Sequence, residues 1–216
     1  MTSLLAVAAA SLSFAASPHV TVRPPNEIEF TATVQAARFD GWIMPGYHAI
    51  VWREGEAARF ALLAADVSDL QVLDALERLG ASPGHTLPIE AWTKRKDPRS
   101  RAPDTRVDGP RIEILLRLPG APQLVPLSTI LKDSTGRGLD MRLAGNRANA
   151  AKWESGCVAC LYSCPGGKLG NAGSTVRDYV TASTNEKDAR FRVRAGALPK
   201  DGTRVGIVLR VESPGP

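Results

Sequence analysis

The three cysteines of this 216-residue chain all lie in one short segment, Cys157-Val-Ala-Cys160-Leu-Tyr-Ser-Cys164-Pro165. A disulfide stabilises a fold most when it closes a long loop, because a long closed loop removes more conformational entropy from the unfolded chain. Cysteines this close together cannot join distant parts of the chain. The fold must therefore be held by a buried hydrophobic core, and the cysteine segment indicates a site of chemistry.

The composition is sufficient for such a core and favours β-structure. Hydrophobic residues make up 44% of the chain and charged residues 23%, which suits one globular domain without cysteine cross-links. Glycine and proline are frequent, with 19 and 16 residues, and favour strands joined by many turns. We predict a single α+β domain over residues 27–213, preceded by an extended leader over residues 16–26.

Alternation of apolar and polar residues predicts most of the strands. The predicted strands cover residues 28–36, 48–52, 59–64, 87–92, 111–118, 139–143, 191–195 and 205–211. The second and third are expected to pair across a turn at residues 53–56, and the last two to be joined around residues 199–202. Residues 126–132 are expected to form one helical turn.

One helix is predicted near residues 68–79. The motif Ser68-Asp69-Leu70-Gln71 fits a capping box, four leucines follow at helical spacing along one side, and Gly80 is a typical C-terminal stop. The predicted architecture is α+β, with a mainly antiparallel sheet, one central helix and a Cys/Gly-rich loop within residues 153–175.

The N-terminal segment has the pattern of a secretory signal. Residues 1–16 carry no charge, their apolar run is too short to span a membrane, and Ser13-Phe14-Ala15 provides small residues where a signal peptidase cleaves. We therefore expect a signal peptide over residues 1–15 and export to the periplasm or cell envelope. No other apolar run reaches the length of a transmembrane helix, so no membrane-spanning segment is expected in the mature chain.

The positive charge is modest and points to no nucleic-acid site. The net charge is +5, and its densest part is residues 94–106, where prolines and aspartates interrupt the basic residues. This pattern is typical of a solvated loop, and neither stacking aromatics nor a nucleic-acid-binding motif accompanies it. Binding of this loop to an anionic lipid or to an acidic protein is left open by the sequence.

The cysteine spacing matches part of an iron–sulfur motif. Bacterial ferredoxins use C-x2-C-x2-C-x3-C-P, and Cys157, Cys160 and Cys164-Pro165 reproduce the last three cysteines and the proline. Glu154 stands where the first cysteine would be. The fourth ligand of a cluster would have to come from Glu154, water, a histidine, a small molecule or another subunit.

Zinc is a second interpretation of the same cysteines. The three thiolates and one histidine would form a Cys3His tetrahedron, with His19, His48 and His85 as candidates. None of these histidines lies close to the cysteines in the sequence. By position, His19 is expected in the leader, His48 in a strand and His85 in a turn. The fold would have to supply such a ligand.

Thiol chemistry is a third interpretation, because export would place the cysteines in an oxidising compartment. Two of them would form a disulfide and leave one thiol able to exchange with it or with a partner. A Cys-x2-Cys pair at a helix N-terminus can have a lowered thiol pKa. The alternative is a local disulfide that only braces a loop.

The sequence argues against two other functional classes, nucleotide-binding proteins and hydrolases. Gly166-Gly167-Lys168-Leu169-Gly170 fits neither G-x-x-x-x-G-K-[ST] nor G-x-G-x-x-G, which argues against nucleotide binding. Pro165, Gly166 and Gly167 instead read as a supporting loop that turns the chain or brings backbone N–H groups to sulfur. The chain also lacks G-x-S-x-G and H-E-x-x-H, which disfavours a hydrolase.

Three segments of the chain resemble the YdjY-like domain family. Residues 60–84, FALLAADVSDLQVLDALERLGASPG, are similar to its strand–helix–LGA-x-PG signature, and the strand at Arg111-Ile-Glu-Ile and residues 126–136, PLSTILKDSTG, are similar to its downstream pattern. The resemblance spans about residues 28–145. It implies an exported protein, and a ferredoxin-like description of some cysteine-bearing members would apply here to Cys157, Cys160 and Cys164.

These observations favour an exported protein with a cysteine-centred redox or metal site that binds an iron–sulfur cluster or zinc. We expect electron transfer or thiol exchange with a protein partner, a membrane-associated one included, rather than a stand-alone enzyme. The competing interpretation is a non-catalytic binding or assembly module whose cysteines are structural.

The mature chain is predicted to begin at or near Ala16, because Ser13-Phe14-Ala15 is the best cleavage pattern after the apolar run. Intact-mass analysis of protein recovered from the cell envelope would measure this directly. A folded cytosolic product that keeps residues 1–15 would contradict the predicted export.

Overall fold

The computed structural model describes residues 20–41, 46–145, 147–184 and 191–212. The predicted signal peptide and His19 lie outside them. Within the described residues the strands are β1 (Thr21–Arg23), β2 (Glu27–Val34), β3 (His48–Trp52), β4 (Ala61–Ala65), β5 (Ile112–Arg117), β6 (Val125–Pro126), β7 (Leu131–Asp133), β8 (Met141–Leu143), β9 (Cys157–Cys160), β10 (Leu169–Asn171), β11 (Phe191–Val193) and β12 (Arg204–Val211). The α-helices are α1 (Ala36–Gly41), α2 (Asp69–Arg78), α3 (Glu90–Thr93), α4 (Leu127–Ile130), α5 (Arg147–Lys152) and α6 (Val176–Thr184), and Ala58–Phe60 and Ala102–Asp104 form 3-10 turns.

One large sheet organises the domain. Its strands follow the order β6-β5-β12-β2-β4-β3-β9-β10-β8, and β1 pairs with β2. The pairs β3–β4 and β9–β10 are parallel, and the other pairs of this sheet are antiparallel. An isolated bridge between Arg111 and Arg142 brings the start of β5 to β8, so the sheet curls back on itself. The predicted class, α+β with a mainly antiparallel sheet, is confirmed.

Helix α2 packs on this sheet and begins where the sequence predicts. Ser68 Oγ accepts a hydrogen bond from the Gln71 N–H at 3.1 Å, and Gln71 Oε1 accepts one from the Ser68 N–H at 2.9 Å, which is a capping box. Gly80 follows the helix with φ +85°, a conformation that favours glycine. The buried face differs from the predicted leucine row: Leu73 and Leu76 are buried, whereas Leu70 is 38% exposed.

Two predicted elements near the middle of the chain are corrected. Residues 87–92 do not form a strand, because Pro88 has no N–H to donate and helix α3 begins at Glu90. The segment predicted as a strand over residues 59–64 starts as a 3-10 turn, and the strand that follows, β4, runs parallel to β3. Residues 53–60 are therefore a crossover and not a hairpin turn.

The two strands at the C-terminal end do not pair with each other. Strand β12 lies between β2 and β5 in the large sheet, whereas β11 pairs with β7 in a separate two-stranded sheet. Both predicted strands exist and residues 199–202 lie in the connection between them, but the two strands belong to different sheets. Strand β12 is long and carries buried residues on both faces, which suits a central position in a sheet.

The cysteine segment is a sheet element more than a loop. Cys157 and Cys160 are the first and last residues of β9, and Leu169–Asn171 returns as the parallel strand β10. The irregular backbone predicted for residues 153–175 is limited to residues 153–156, to the connection 161–168 that carries Cys164, and to residues 172–175. Among the described residues, no helix is long and apolar enough to cross a membrane.

Leu73→Ala is predicted to lower the free energy of unfolding by about 2–5 kcal/mol, because it leaves a cavity in a fully packed core. Leu70→Ala on the same helix is the matched control and is expected to have a much smaller effect, since Leu70 is exposed. Urea denaturation measures both. Equal effects would mean that the helix is rotated relative to this description.

Candidate metal centre

The site is built on the pairing of strand β9 with strand β3. The two strands are antiparallel, and β3 begins with His48. The register pairs His48 with Cys160, Ile50 with Ala159, and Val51 with Cys157. His48 and Cys160 are therefore cross-strand neighbours, a relation that brings Cβ atoms within about 5.5 Å in an antiparallel pair.

Irregular register puts both cysteines on one side of the sheet. Side chains alternate along a strand, so residues three apart, such as Cys157 and Cys160, should face opposite sides. The register shifts twice, leaving Val158 as an extra residue in β9 and Ala49 as one in β3, as a β-bulge does. The cysteines consequently share a small buried cluster, whereas Val158 and Ala49 point into the main core.

Three ligand atoms converge at this point. His48 Nδ1 lies 3.4 Å from Cys157 Sγ and 3.9 Å from Cys160 Sγ, and the two sulfurs are 2.8 Å apart. All three atoms lie within 4.8 Å of one another. A tetrahedral ion with metal–sulfur bonds of about 2.3 Å holds neighbouring ligand atoms about 3.5–3.8 Å apart. The group could therefore hold one metal ion once the two sulfurs move apart by about 1 Å.

His48 is suited to ligation by its protonation. It is 4% exposed, and burial lowers the pKa of its imidazole to about 3. The ring is thus neutral at physiological pH, the form in which a histidine binds metal. Of the other candidate histidines, His85 is exposed beside Asp108 and away from the cysteines, and His19 lies outside the described residues.

Cys164 follows β9 and lies against Cys160. Its sulfur accepts a hydrogen bond from the Gly166 N–H at 3.4 Å. A Cβ on Gly166 would come within 2.5 Å of the Trp153 ring, and one on Gly167 within 3.1 Å of Cys160 Sγ. Glycine is therefore required where this connection packs against the site. Pro165 is buried beside them, and its carbonyl accepts a hydrogen bond from Asn149 Nδ2 at 2.8 Å.

The surroundings of Cys160 and Cys164 shift the pKa values of their thiols in opposite directions. A hydrogen bond from Cys160 lowers the pKa of the Cys164 thiol, helped by the Gly166 and Gly167 N–H groups and the charge of Lys168, and opposed by burial. Hydrogen bonds to Cys157 and Cys164, together with burial, raise the pKa of the Cys160 thiol. Cys164 is therefore the first of this pair to become a thiolate.

A buried ion pair lies beside the sulfurs. Lys168 Nζ is 2.8 Å from Asp69 Oδ2, and the two side chains are 1% and 10% exposed. Lys168 Nζ also donates to the Gly166 carbonyl at 3.4 Å, and Asp69 is the first residue of helix α2. The pair connects this helix to the loop that carries Cys164.

An open cleft of about 1140 Å³ reaches the site from one side. Two members of the site, His48 and Cys164, line the cleft, whereas Cys157 and Cys160 lie behind them. Glu154 also lines the cleft but is exposed and does not belong to the three converging ligands. Its role as a fourth ligand stays a prediction. All three cysteines are free thiols in this structure.

Sequence reasoning named the cysteines and gave His48 only as one of three candidate histidines for zinc, and it gave Lys168 no role. His48 is separated from Cys157 by 109 positions, so no local spacing marks it as a ligand. Its one sequence signal is a polar residue at the start of an apolar strand, HAIVW. The Cys-x2-Cys pair was also considered as a helix N-terminus, whereas the structure places it in a strand.

Comparisons with known proteins agree with the resemblance found in the sequence. The YdjY domain model matches residues 24–210 and so covers the sheet except β1 and the last residue of β12, together with the cleft and the candidate ligands. The curated "Uncharacterized protein YdjY" of Escherichia coli (strain K12) is 27% identical over 165 residues, which are 76% of this chain and 67% of that protein. No solved structure matches the chain.

Iodoacetamide is predicted to modify Cys164 before Cys157 and Cys160 in reduced, metal-free protein, because Cys164 lines the cleft and its thiol pKa is lowered. The rate for Cys164 should rise with pH and level off at a lower pH than the rate for Cys160, because the pKa of the Cys164 thiol is lowered and that of the Cys160 thiol is raised. One tryptic peptide, residues 153–168, carries all three cysteines, so tandem mass spectrometry can locate the label.

The matched variant for this measurement is Lys168→Met combined with Asp69→Asn, which removes both buried charges together. The alkylation profile of Cys164 should then move to higher pH, because the lysine charge favours the thiolate. Equal labelling of all three cysteines, or an unchanged profile in this variant, would contradict the described environment.

Proposed function

The chain belongs to the YdjY domain family, and we propose that it is a cell-envelope metalloprotein with a single-ion centre. His48, Cys157, Cys160 and Cys164 would hold one transition-metal ion at the floor of the cleft. The observation that carries this proposal is the convergence of His48 Nδ1 with the sulfurs of Cys157 and Cys160, all within 4.8 Å.

The distances favour one ion over a multinuclear cluster. In an iron–sulfur cubane each ligand binds a different iron, which spreads the ligand atoms across the cluster. Here the His48 nitrogen and the sulfurs of Cys157 and Cys160 are separated by only 2.8–3.9 Å, and Cys164, which lies against Cys160, would complete the set. Three sulfurs and one imidazole nitrogen form a set that suits zinc, and thiolate ligands in general select soft ions. The proposal therefore prefers zinc or a single iron to the iron–sulfur cluster that the spacing suggested.

The surroundings of the sulfurs suit a negatively charged centre. Three thiolates around a divalent ion leave one net negative charge, and the buried Lys168 lies close enough to stabilise the Cys164 thiolate. The Gly166 N–H donates to the Cys164 sulfur, a type of outer contact that orients ligands and tunes the metal. When bound, the ion would supply a Lewis-acid or one-electron centre, according to the metal.

The cleft decides how a partner can reach this centre. His48 and Cys164 line it, and Cys164 is the most exposed of the three cysteines, at 6%. Cys157 and Cys160 belong to strand β9 and do not line the cleft, so they would bind the ion from the side of the sheet. This arrangement suits electron transfer or ligand exchange with a molecule that enters the cleft. The proposed export depends on the uncharged segment over residues 1–15 alone.

Thiol–disulfide exchange is the second candidate, favoured by the contact of Cys160 with Cys164. The Cys164 thiolate would attack a partner's disulfide and form a mixed disulfide, releasing one partner thiolate. Cys160, deprotonated, would then attack the Cys164 sulfur, form a Cys160–Cys164 disulfide and release the second partner thiolate. The partner disulfide gains the two electrons that the two cysteines lose.

Protein purified without oxygen is predicted to carry one metal ion per chain and no acid-labile sulfide. His48→Gln and Cys157→Ser should each lower the metal content to background, because each removes one of the three converging ligands. Elemental analysis and a sulfide assay measure this. His85→Gln is the matched control, since His85 is exposed beside Asp108, and should leave the metal content unchanged.

The same variants separate the two candidate functions. Cys157→Ser removes a metal ligand but leaves the Cys160–Cys164 pair, so exchange with a model disulfide would survive only under the second candidate. Iron and sulfide in equal amounts would indicate a cluster and contradict the single-ion proposal. Protein that takes up neither zinc nor iron after anaerobic reconstitution would overturn it.

A further inference from the structure

We infer that the cleft above the centre binds a planar ring compound that carries one acidic group, such as a carboxylate, sulfonate or phosphate. The inference goes beyond the proposed metal centre, because the walls of the cleft come from side chains that do not hold the ion. It is carried by three features of those walls: an aromatic face, a basic end and an acidic end.

The aromatic face is formed by Tyr47, Trp92 and Trp153. The Trp92 and Trp153 rings meet edge to face at 5.9 Å between centroids, and Tyr47 lies 6.2 Å from Trp92. All three rings line the cleft and are only half-buried. Trp92 is itself stacked on Tyr179 at 5.7 Å and covered by the Arg95 guanidinium at 4.6 Å, so within the described residues Trp153 is the ring of this face that has no stacked partner. A ring left partly open to a cleft favours a ligand that covers it by stacking.

The basic end is formed by Arg38 and Arg59. Gln35 links them, because its Oε1 accepts a hydrogen bond from Arg38 at 3.5 Å and its Nε2 donates to the Ala58 carbonyl at 3.4 Å. In the part of the chain that the structure describes, neither guanidinium is paired with a carboxylate. Arg53, which also lines the cleft, is already paired with Asp66 at 3.0 Å. Two guanidiniums are therefore available for an anion.

The acidic end limits the charge of the ligand. Glu56 and Glu154 both line the cleft, and the Glu56 N–H donates to the Glu154 carbonyl at 3.2 Å, which holds the two residues together. Lys152 lies near Glu154 in the chain and also lines the cleft. A second anionic group at this end would meet two carboxylates and one ammonium. One acidic group, directed to Arg38 and Arg59, fits the charges best.

The size of the cleft agrees with a small organic ligand. Its volume of about 1140 Å³ lies slightly above the range of roughly 300–1,000 Å³ common for ligand sites, so a small organic ligand fits within it. A flat ring stacked on Trp153 would lie in the cleft that His48 and Cys164 also line. The ligand would thus lie next to the proposed ion.

The test uses full-length mature protein and three probes in isothermal titration calorimetry. Naphthalene-2-sulfonate has both the ring and the charge, 2-naphthalenemethanol has only the ring, and methanesulfonate has only the charge. We expect the first to bind about tenfold or more tightly than either of the others. Arg38→Gln combined with Arg59→Gln should remove this preference for the sulfonate over the alcohol while leaving the alcohol's affinity unchanged.

Arg194→Gln is the charge-matched control, because Arg194 is exposed and does not line the cleft. Trp153→Leu should weaken both ring probes equally, and circular dichroism checks that it folds. Equal binding of sulfonate and alcohol to the unmodified protein, or no effect of the double arginine variant, would overturn the inference. So would absence of binding at millimolar probe concentration.

Metal analysis of the same samples keeps this inference separate from the proposed function. Protein that carries its ion but binds none of the probes overturns only the cleft ligand. His48→Gln protein that has lost the ion but still prefers naphthalene-2-sulfonate supports the cleft ligand, since the basic end and the aromatic face remain.

Discussion

The site depends first on the register between strands β3 and β9. A slip of one residue would turn every side chain of β9 to the other face of the sheet, and Cys157 and Cys160 would enter the main core. Two glycines secure the register at the end of the pair. A Cβ on Gly55 would lie 2.4 Å from the Ser155 carbonyl oxygen, and Gly156 has φ +66°. Only residues without a Cβ let these two turns pack so closely.

Local patterns predicted the elements whose structure is decided locally. The helix that begins after Ser68 is specified by a capping box and a terminal glycine, so its limits could be predicted within one residue. The direction of β4 could not, because a parallel neighbour depends on the crossover at residues 53–60 and not on alternation in either strand. For the same reason the partner of β11 was missed, since β7 lies far away in the chain.

The candidate site shows the same division between local and distant information. The three cysteines could be identified as a site from their spacing. Spacing alone left three interpretations open: an iron–sulfur cluster, a single metal ion and a thiol pair. The choice depends on His48, which reaches the sulfurs only because β3 and β9 become neighbours. The bulges that reverse the side-chain alternation leave no clear trace in the sequence. A strict alternation would have separated Cys157 from Cys160.

The buried pair of Lys168 and Asp69 links the energetics of the fold to those of the site. Burying an ion pair costs desolvation free energy that the attraction between the charges only partly offsets, so such pairs are weak evidence for a stabilising role. Here the lysine has a second partner, since it lowers the pKa of the Cys164 thiol. An anionic sulfur centre in a buried place needs a nearby cation, and Asp69 at the start of α2 fixes where that cation lies. The ion pair is thus better explained by the charge of the sulfurs than by the stability of the sheet.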